Sequence, residues 1–538
     1  MRRFLILVIA ASVAAPTFSL AKSAAETAET RIRSDMAFLA DDALMGREPG
    51  TKGYDAAAKY AVKRMKSVGL TPADRKHWRQ EVRLRSALRD VAAARLTLVD
   101  GDKQTELTHP DDYIIGQNFD PGSFDVSAPL VYAGYGVTAP EEGVDDYAGL
   151  DVAGRIVVIF GGAPPALHTE KRAFYSSGRV KNLNAAAHGA VGMISIQTTE
   201  SANRAPWELF VSGVGRSSMA TIGEDGRAEV TAPSIVAGAS MSAAGAGKLF
   251  AGEKMDFAAL QAEEAKGKGA PAGFEFRKTI RLAGASQLSD KKSANIIGVI
   301  EGSDPVLKNE VVLLTAHLDH IGLSPAAKPG EDAINNGALD NASGVAVMLE
   351  AARMFAESGA RPKRSVAFVA LTGEEKGLLG SDYLARHPAY AGKRAVSNVN
   401  LDMPVATYPF TDVIAFGAER SSLGPVVAAA AQSMGVALTA DLQPEENIFI
   451  RSDHYSFVQQ GIPSVFLVTG WANGGEKAFG EFLKNHYHKP SDDLSLPIDY
   501  DALARFADLN FRIARTLADA PTAPVWTSGD FFGSKFSK

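Results

Sequence analysis

The sequence predicts an α/β fold in which helices cover both faces of a mixed, mostly parallel sheet, with a mainly β module inserted into it. After Asn295, short apolar runs alternate with helical patterns, as in βαβ units. Between residues 120 and 275, Gly- and Ala-rich turns instead separate short β-branched runs. The length of 538 residues corresponds to about three domains with well-developed cores.

The individual elements follow from hydrophobic periodicity. Apolar side chains recur at helical spacing between residues 34 and 70, where Gly69 and Pro72 end the pattern, and residues 82–110 have the pattern of short strands. After Asn295 we expect strands at residues 311–316, 366–371, 396–401 and 462–468, and helices at residues 342–357 and 378–386.

The first 21 residues have the pattern of a secretory signal peptide. Arg2 and Arg3 precede an apolar run that is too short to span a bilayer, and Ser19 and Ala21 are the small residues of a cleavage site. A buried helix or a membrane anchor is the alternative. We expect export to the periplasm or the extracellular space, without stable membrane insertion. The predicted segments are 1–21 (signal peptide), 22–119 (N-terminal part of the catalytic domain), 120–275 (insert), 276–520 (catalytic domain) and 521–538 (tail).

The composition limits the chemistry of the protein. The chain has 56 Lys and Arg against 62 Asp and Glu, and it lacks the basic stripe of a nucleic-acid binder, so no nucleic-acid partner is expected. It contains no cysteine, which excludes disulfides, thiolate nucleophiles and cysteine-ligated zinc. Any bound metal must therefore be held by histidines and carboxylates.

Acidic and imidazole side chains cluster where the predicted strands end. Ligands of open α/β sheets gather at the carboxyl ends of the strands, so we expect these side chains to line one crevice. Each of them also has a purely structural explanation, such as helix capping, compensation of a helix dipole or a solvated loop. The candidates are His317, Asp319, Asp340, Glu374, Glu375, Asp402 and His488.

Two imidazoles and three carboxylates of this set are the expected metal ligands. They can form two sites if one carboxylate bridges, and nitrogen and hard oxygen donors suit zinc first, with cobalt or manganese possible. The proposed ligands are His317, Asp340, Glu375, Asp402 and His488.

Three further side chains have predicted catalytic roles. The Asp319 carboxylate would orient the His317 imidazole through its second ring nitrogen. Glu374 would take a proton from the attacking water and hand it to a leaving amine. Tyr487 would donate a hydrogen bond to the oxyanion, or else would only pack at the pocket wall.

At these residues the sequence resembles the M28 family of co-catalytic dizinc peptidases. The matching stretches are His317-Leu318-Asp319, residues 338–344, residues 372–381, Asn400-Leu401-Asp402, residues 451–454 with 461–463, and Tyr487-His488. Residues 44–53 are similar to the N-terminal stretch of the family, and residues 120–275 resemble a protease-associated (PA) domain.

This resemblance implies a zinc exopeptidase fold and an assignment for every ligand. One zinc would be held by His317, Asp402 and the bridging Asp340, and the other by Asp340, Glu375 and His488. A cis peptide would follow the bridging acid, between Asp340 and Asn341, and Glu374 would occupy the general-base position.

The implied function is a secreted metal-dependent exopeptidase that removes N-terminal residues from peptides. A carboxypeptidase of the same fold is the alternative, with Arg451 as the candidate for binding a substrate carboxylate. A glutaminyl cyclase and a catalytically inactive binding protein are further alternatives. The intact ligands and Glu374 argue against an inactive protein. The sequence makes no prediction of the oligomeric state or of the preferred substrate residue.

Overall fold

The computed structural model describes residues 26–537. The predicted signal peptide, residues 1–21, lies outside the described residues. The α-helices are α1 (Ala28–Leu39), α2 (Lys52–Ser67), α3 (Thr169–Ser176), α4 (Gly178–Ala187), α5 (Thr199–Arg204), α6 (Trp207–Ser212), α7 (Ala243–Phe250), α8 (Phe257–Glu264), α9 (Ser343–Glu357), α10 (Leu379–Arg386), α11 (Leu423–Ser433), α12 (His454–Val458), α13 (Gly475–Asn485), α14 (Tyr500–Asp519) and α15 (Phe531–Phe536).

The strands follow the same chain order. They are β1 (Thr71–Pro72), β2 (Arg79–Asp100), β3 (Lys103–Glu106), β4 (Tyr113–Ile115), β5 (Ser123–Tyr132), β6 (Thr138–Ala139), β7 (Val144–Asp145), β8 (Ile156–Phe160), β9 (Gly192–Ile196), β10 (Ser218–Thr221), β11 (Ala237–Met241), β12 (Phe274–Ile300), β13 (Glu310–His317), β14 (Ser365–Leu371), β15 (Arg394–Leu401), β16 (Asp412–Phe416), β17 (Ala437–Leu438) and β18 (Ser464–Thr469).

One mixed sheet runs through both halves of the molecule, which are the predicted catalytic domain (residues 276–520, here the catalytic half) and the predicted insert (residues 120–275). Its strand order is β17-β16-β18-β15-β13-β14-β12-β5-β8-β9-β11-β4. Strands β14, β13, β15 and β18 are parallel neighbours in the catalytic half, and β5, β8, β9 and β11 are parallel neighbours in the insert. The 27-residue strand β12 joins the halves, because its C-terminal end pairs with β14 and its N-terminal part pairs with β5. The fold class predicted from the sequence is confirmed.

Helices cover both faces of the catalytic half. Alternate residues of β13 point to opposite sides, so Val312 and Leu314 pack in one core with α1, α2, α9 and α14. Val311 and Leu313 pack in a second core with Leu384 of α10 and Phe457 of α12. Period-2 alternation across a strand that is buried on both faces explains why the sequence shows a continuous apolar run here.

Some details differ from the expectations. The helical region predicted between residues 34 and 70 is two helices, because a tight turn at Asp42–Arg47 with Met45 and Gly46 in left-handed conformations separates α1 from α2. Residues 82–110 contain one long strand, β2, and the short β3 rather than several short strands. Strand β4, which precedes residue 120, pairs with β11 of the insert.

None of the helices in the described part of the chain combines the length and the apolar character needed to cross a bilayer.

Candidate active site

The candidate site lies at the carboxyl ends of the central parallel strands. His317 is the last residue of β13, and it lies in register with Leu371, the last residue of β14. Glu374 and Glu375 follow Leu371 after a short turn, and Asp402 follows the last residue of β15. Parallel strands end at the same edge of a sheet, so residues far apart in sequence meet here.

Asp340 reaches the same edge from the turn that precedes α9. This turn begins after Gly337, whose φ of 62° is left-handed. A Cβ at Gly337 would lie 2.2 Å from the carbonyl oxygen of Asp340 and 2.7 Å from the His320 ring, so only glycine fits. The peptide bond between Asp340 and Asn341 is cis, which confirms the geometry that the family resemblance implied.

The five predicted ligands form two groups that share Asp340. In the first group, His317 Nε2 lies 3.0 Å from Asp402 Oδ1 and 3.3 Å from Asp340 Oδ1. In the second group, His488 Nε2 lies 3.0 Å from Glu375 Oε2 and 3.3 Å from Asp340 Oδ2. Because each group uses a different oxygen of Asp340, this carboxylate is in the bridging position.

The electrostatics of the cluster favour positive charge. Burial lowers the pKa of His488, but the Glu375 and Asp340 carboxylates outweigh it and raise the pKa to about 10. Burial likewise opposes a charged His317, yet Asp402 and Glu374 hold its pKa well above its usual value. Like carboxylates this close repel each other unless a cation or a proton compensates them.

The donor set fits a divalent metal. The ligand atoms of His317, Asp340 and Asp402 lie within 4.8 Å of one another, and imidazole nitrogens with carboxylate oxygens suit zinc, cobalt or manganese. These five residues could therefore hold one or two metal ions, with Asp340 contributing to both.

Glu374 lies beside this cluster without being one of the paired ligands. One of its carboxylate oxygens lies within 4.8 Å of donor atoms of His317 and Glu375. Burial, and then the repulsion from Glu375 and Asp402, raises the pKa of Glu374 well above its usual value although His317 acts the other way. A carboxylate with a raised pKa holds a proton more strongly, which is the property of a general base.

The predicted role of Asp319 needs a correction. His317 Nδ1 donates to the backbone carbonyl of Asp319 at 3.1 Å, so the carbonyl rather than the carboxylate orients the imidazole. The carboxylate instead accepts from the backbone N–H groups of Glu374 and Glu375 at 3.2 and 3.3 Å. The side chain points to the next strand end because the chain turns after β13, so it positions the loop that carries Glu374 and Glu375.

Tyr487 lines the cleft beside His488. The two rings stack with their centroids 3.8 Å apart, and burial raises the pKa of the phenol well above its usual value. Tyr487 therefore both packs against the ligand candidate His488 and keeps a proton that it can donate.

Four contributors to the site were not identified as such in the sequence. His320 Nδ1 donates to Glu375 Oε1 at 2.6 Å, and Ser452 Oγ donates to Asp402 Oδ2 at 2.6 Å. Asp492 accepts from the backbone N–H groups of Leu339 and Asp340, at 2.9 and 3.0 Å. Arg47 is buried and donates to carbonyl oxygens on both sides of the cluster.

Only His320 and Asp492 had a sequence signal that could have revealed them. His320 belongs to the same strand end as His317, and Asp492 follows His488 in a polar loop. The hydrogen bond of Ser452 goes to Asp402, 50 positions away, and that of Arg47 to Leu318 goes 271 positions along the chain, so local patterns could not reveal them.

A cleft with a volume of 770 Å³ lies over the cluster and is lined by both halves of the molecule. The catalytic half contributes the metal-ligand candidates, Glu374, Tyr487 and apolar side chains such as Phe479. The insert contributes α5 and α6 residues, among them Ser201 and Trp207. This volume is in the range of ligand-binding pockets.

Comparison with known proteins identifies the two parts of the chain. Residues 295–514 match the model of peptidase family M28, and residues 126–241 match that of the PA domain. A probable zinc metalloprotease of Pyrenophora tritici-repentis is 28% identical over 43% of this chain and 58% of its own length. Aminopeptidase YwaD of Bacillus subtilis is 28% identical over 41% of this chain and 44% of its own length. The chain thus matches about half of the length of these relatives.

The fold is also that of a solved structure. An aminopeptidase from Aneurinibacillus sp. strain AM-1 superimposes with a TM-score of 0.53 at 21% identity, over 93% of this chain and 95% of that one. Residues 295–514 are therefore similar to peptidase family M28, and residues 126–241 are similar to the PA domain.

Proposed function

We propose that this protein is a zinc-dependent exopeptidase that removes N-terminal residues from peptides. The observation that carries the proposal is Glu374, a half-buried carboxylate with a raised pKa, next to two imidazole–carboxylate groups that share Asp340. The names of the zinc metalloprotease and aminopeptidase relatives support the same class of reaction.

His317, Asp402 and Asp340 would hold one zinc ion, and Asp340, Glu375 and His488 would hold the second; cobalt or manganese would fit the same donors. Bound zinc supplies a Lewis acid for the substrate carbonyl and lowers the pKa of a bound water. Asp319 keeps Glu374 and Glu375 in place through their backbone N–H groups.

The protein side chains would manage the proton and the developing charge. Glu374 accepts the proton of the attacking water on a carboxylate oxygen and delivers it to the leaving amine nitrogen. The Tyr487 phenol stays protonated and donates a hydrogen bond to the carbonyl oxygen as negative charge develops there.

The charge distribution favours the amino end of a peptide over the carboxyl end. Arg451, the candidate for binding a terminal carboxylate, lines the cleft but is already paired with Glu446 at 3.4 Å. The buried end of the cleft carries carboxylates, which attract an α-ammonium group and repel a carboxylate.

The variant Glu374→Gln tests the proposed base. The amide keeps the shape of the side chain but cannot accept the proton, so kcat should fall by about 10²–10⁴-fold while the metal content stays the same. Glu476→Gln on the exposed surface of α13 is the matched control and should keep full activity. A near-normal kcat for Glu374→Gln would remove Glu374 from this role.

The choice of substrate end is tested with two substrate sets. Amino-acid p-nitroanilides carry a free amino group, and N-blocked peptides carry a free carboxylate. An aminopeptidase should release p-nitroaniline from the first set, and a chelator should abolish this release until zinc is added back. Release from the blocked peptides alone would indicate a carboxypeptidase. A zinc-loaded protein inactive on both sets would point to a cyclase or a binding protein.

The proposed cellular location is outside the cytoplasm. The basic and apolar pattern of residues 1–21 supports export. N-terminal sequencing of the protein recovered outside the cytoplasm should begin at Lys22, and an intact Met1 would contradict the proposal.

A further inference from the structure

The tail after α14 packs between the two halves of the molecule. Phe532 of α15 is completely buried, and its ring centroid lies 5.1 Å from that of Phe449 and 5.8 Å from that of Tyr455, both in the catalytic half. On the other side, Phe174 of the insert helix α3 contacts Phe531 and Phe532, with centroids 5.5 and 6.4 Å away. The tail thus packs against both α3 and the segment around Phe449, at a place where these two elements also contact each other directly.

Arg420 connects the same three parts through charge. Its guanidinium lies 3.2 Å from Asp530 of the tail and 3.3 Å from Glu170 of the insert. It also lies over the rings of Phe449 and Phe532, at 5.0 and 5.5 Å from their centroids. A cation over an aromatic face that also pairs with carboxylates fixes the relative positions of all its partners.

The beginning of the tail is held on the catalytic half by a β-bridge and a side-chain hydrogen bond. Trp526 forms a β-bridge with Ser421, and its indole N–H donates to the carbonyl oxygen of Gly461 at 2.8 Å. The tail is therefore anchored at its start and packs against the insert with its end.

The residues that the tail contacts are connected, on each side, to residues that line the cleft. On the catalytic side, Phe449 is followed by Arg451 and Ser452, which line the cleft, and Ser452 donates to the ligand Asp402. On the insert side, Arg172 of α3 pairs with Glu200 of α5 at 3.1 Å. The next residue, Ser201, lines the cleft.

We infer that residues 521–537 are a strap that sets the separation of the two cleft walls, and that Phe532 is a positioning residue for peptide binding. The structural part of this inference is independent of the reaction, and its effect on kinetics rests on the proposed exopeptidase function. Truncating Phe532 leaves Phe449, Tyr455 and Phe174 without their common partner, so α3 and the segment around Phe449 can separate.

The separation of the walls can be measured directly because the chain has no cysteine. Asn203 of α5 and Lys484 of α13 are exposed and belong to opposite walls, so the Asn203→Cys and Lys484→Cys pair can carry two spin labels. Double electron–electron resonance on the full chain should give one narrow distance distribution. Phe532→Ala should broaden it or shift it to longer distances, while Ser528→Ala, at an exposed tail position, should not.

Asp530→Asn provides a second, milder variant in case Phe532→Ala does not fold. It removes the charge partner of Arg420 in the tail but keeps the side-chain shape, so it should broaden the distribution to a smaller extent. If the Phe532→Ala protein folds and its distance distribution is unchanged, the strap is overturned. If Phe532→Ala does not fold, an unchanged distribution in Asp530→Asn overturns it.

Kinetics separate positioning from general destabilisation. Phe532→Ala should raise KM for a peptide that contacts both walls by about fivefold, as for the loss of one good contact, with kcat little changed. A lower kcat at unchanged KM would mean only a smaller active fraction and would contradict a positioning role. If the unmodified chain hydrolyses no peptide, the proposed function fails, and the distance measurement still decides on the strap.

Discussion

The two groups of the candidate metal centre differ in what holds their ligands. His317 and Asp402 of the first group end or follow central strands, and both are buried, with hydrogen bonds from His317 to the Asp319 carbonyl and from Ser452 to Asp402. Glu375 and His488 of the second group lie in loops, and the His488 side chain is 29% exposed. The sheet fixes the position of a residue at a strand end. A ligand candidate in a loop needs separate hydrogen-bond partners, and for Glu375 these are His320 and the Asp319 carboxylate.

Asp340→Asn should remove the difference between the two groups, because Asp340 is their shared carboxylate. The amide keeps the size of the side chain but loses the charge that both groups need, so both metals should be lost and turnover should fall by several orders of magnitude. Metal analysis after gel filtration, with the exposed Asp111→Asn as the control, tests this. Retention of one metal would show that Asp340 serves only one group.

Arg47→Met should loosen both groups together. The buried guanidinium donates to the carbonyl oxygens of Leu318 and Gly337, at 3.0 and 3.1 Å, next to ligands of both groups. Burial lowers the pKa of Arg47 to about 10, with Asp319 and Asp340 acting against it, so the side chain is charged at neutral pH.

Removing this charge should lower the free energy of unfolding by about 3–5 kcal/mol, since several buried acceptors and carboxylates lose their partner. Urea denaturation of the chelator-treated protein measures the change. The exposed Arg83→Met is the control and should unfold like the unmodified chain. If Arg47→Met lowers the free energy of unfolding no more than the control does, Arg47 does not contribute to the stability of the fold.

His320→Ala should sharpen the comparison, because His320 hydrogen-bonds to Glu375 of the second group. Without the hydrogen bond to Glu375, the affinity of the second metal should fall by about 10–100-fold, as for other residues that orient a metal ligand. His320→Asn retains a donor near the position of Nδ1 and should restore part of the affinity. Competition with a chelator, followed by metal analysis, should show unchanged retention of the first metal; equal weakening of both would contradict the assignment.

The smallest expected effect concerns His454, next to the buried Asp453 behind the first group. His454 packs against the rings of Phe449 and Phe466, and burial lowers its pKa to about 3. In the unfolded chain the pKa of this histidine is about 6.5. As the pH falls below about 6.5, the unfolded chain therefore binds a proton there, whereas the folded protein does not. His454 therefore reduces stability as the pH falls from about 6.5 towards 3, by at most about 1.4 kcal/mol per pH unit.

His454→Gln should flatten this loss in urea unfolding experiments at pH 7, 6 and 5. Burial raises the pKa of Asp453 to about 7, and its contribution therefore has the opposite sign, stabilising the fold as the pH falls. This contribution is common to both proteins and cancels in the difference. Identical pH dependence in the two proteins would exclude His454 as the source.

Local patterns predicted much of the fold and the site because strand ends are visible in sequence. The predicted strand at residues 311–316 is Glu310–His317, and the predicted helix at residues 342–357 is Ser343–Glu357. An acid or histidine directly after a buried run marks a strand end, and parallel strands bring such ends together without further information. The five ligand candidates and Glu374 could therefore be found before the structure was known.

Contacts between remote segments could not be found in this way. The carbonyl of Asp319 rather than its carboxylate bonds to His317, because the direction of the chain after β13 decides which group faces the ring. The pairing of β4 with β11 depends on two segments more than 100 residues apart, and neither carries a signal for the other.

The sequence by itself determined the ligand types, their order along the chain and the alternation of strands and helices, because these depend on residue identity and local periodicity. The tertiary structure alone decided that one sheet unites the catalytic half with the insert through β12, that His320 supports Glu375, and that the tail packs against both halves of the molecule. Such contacts depend on the positions of whole elements in space, and those positions follow from packing over the entire chain rather than from any short stretch of it.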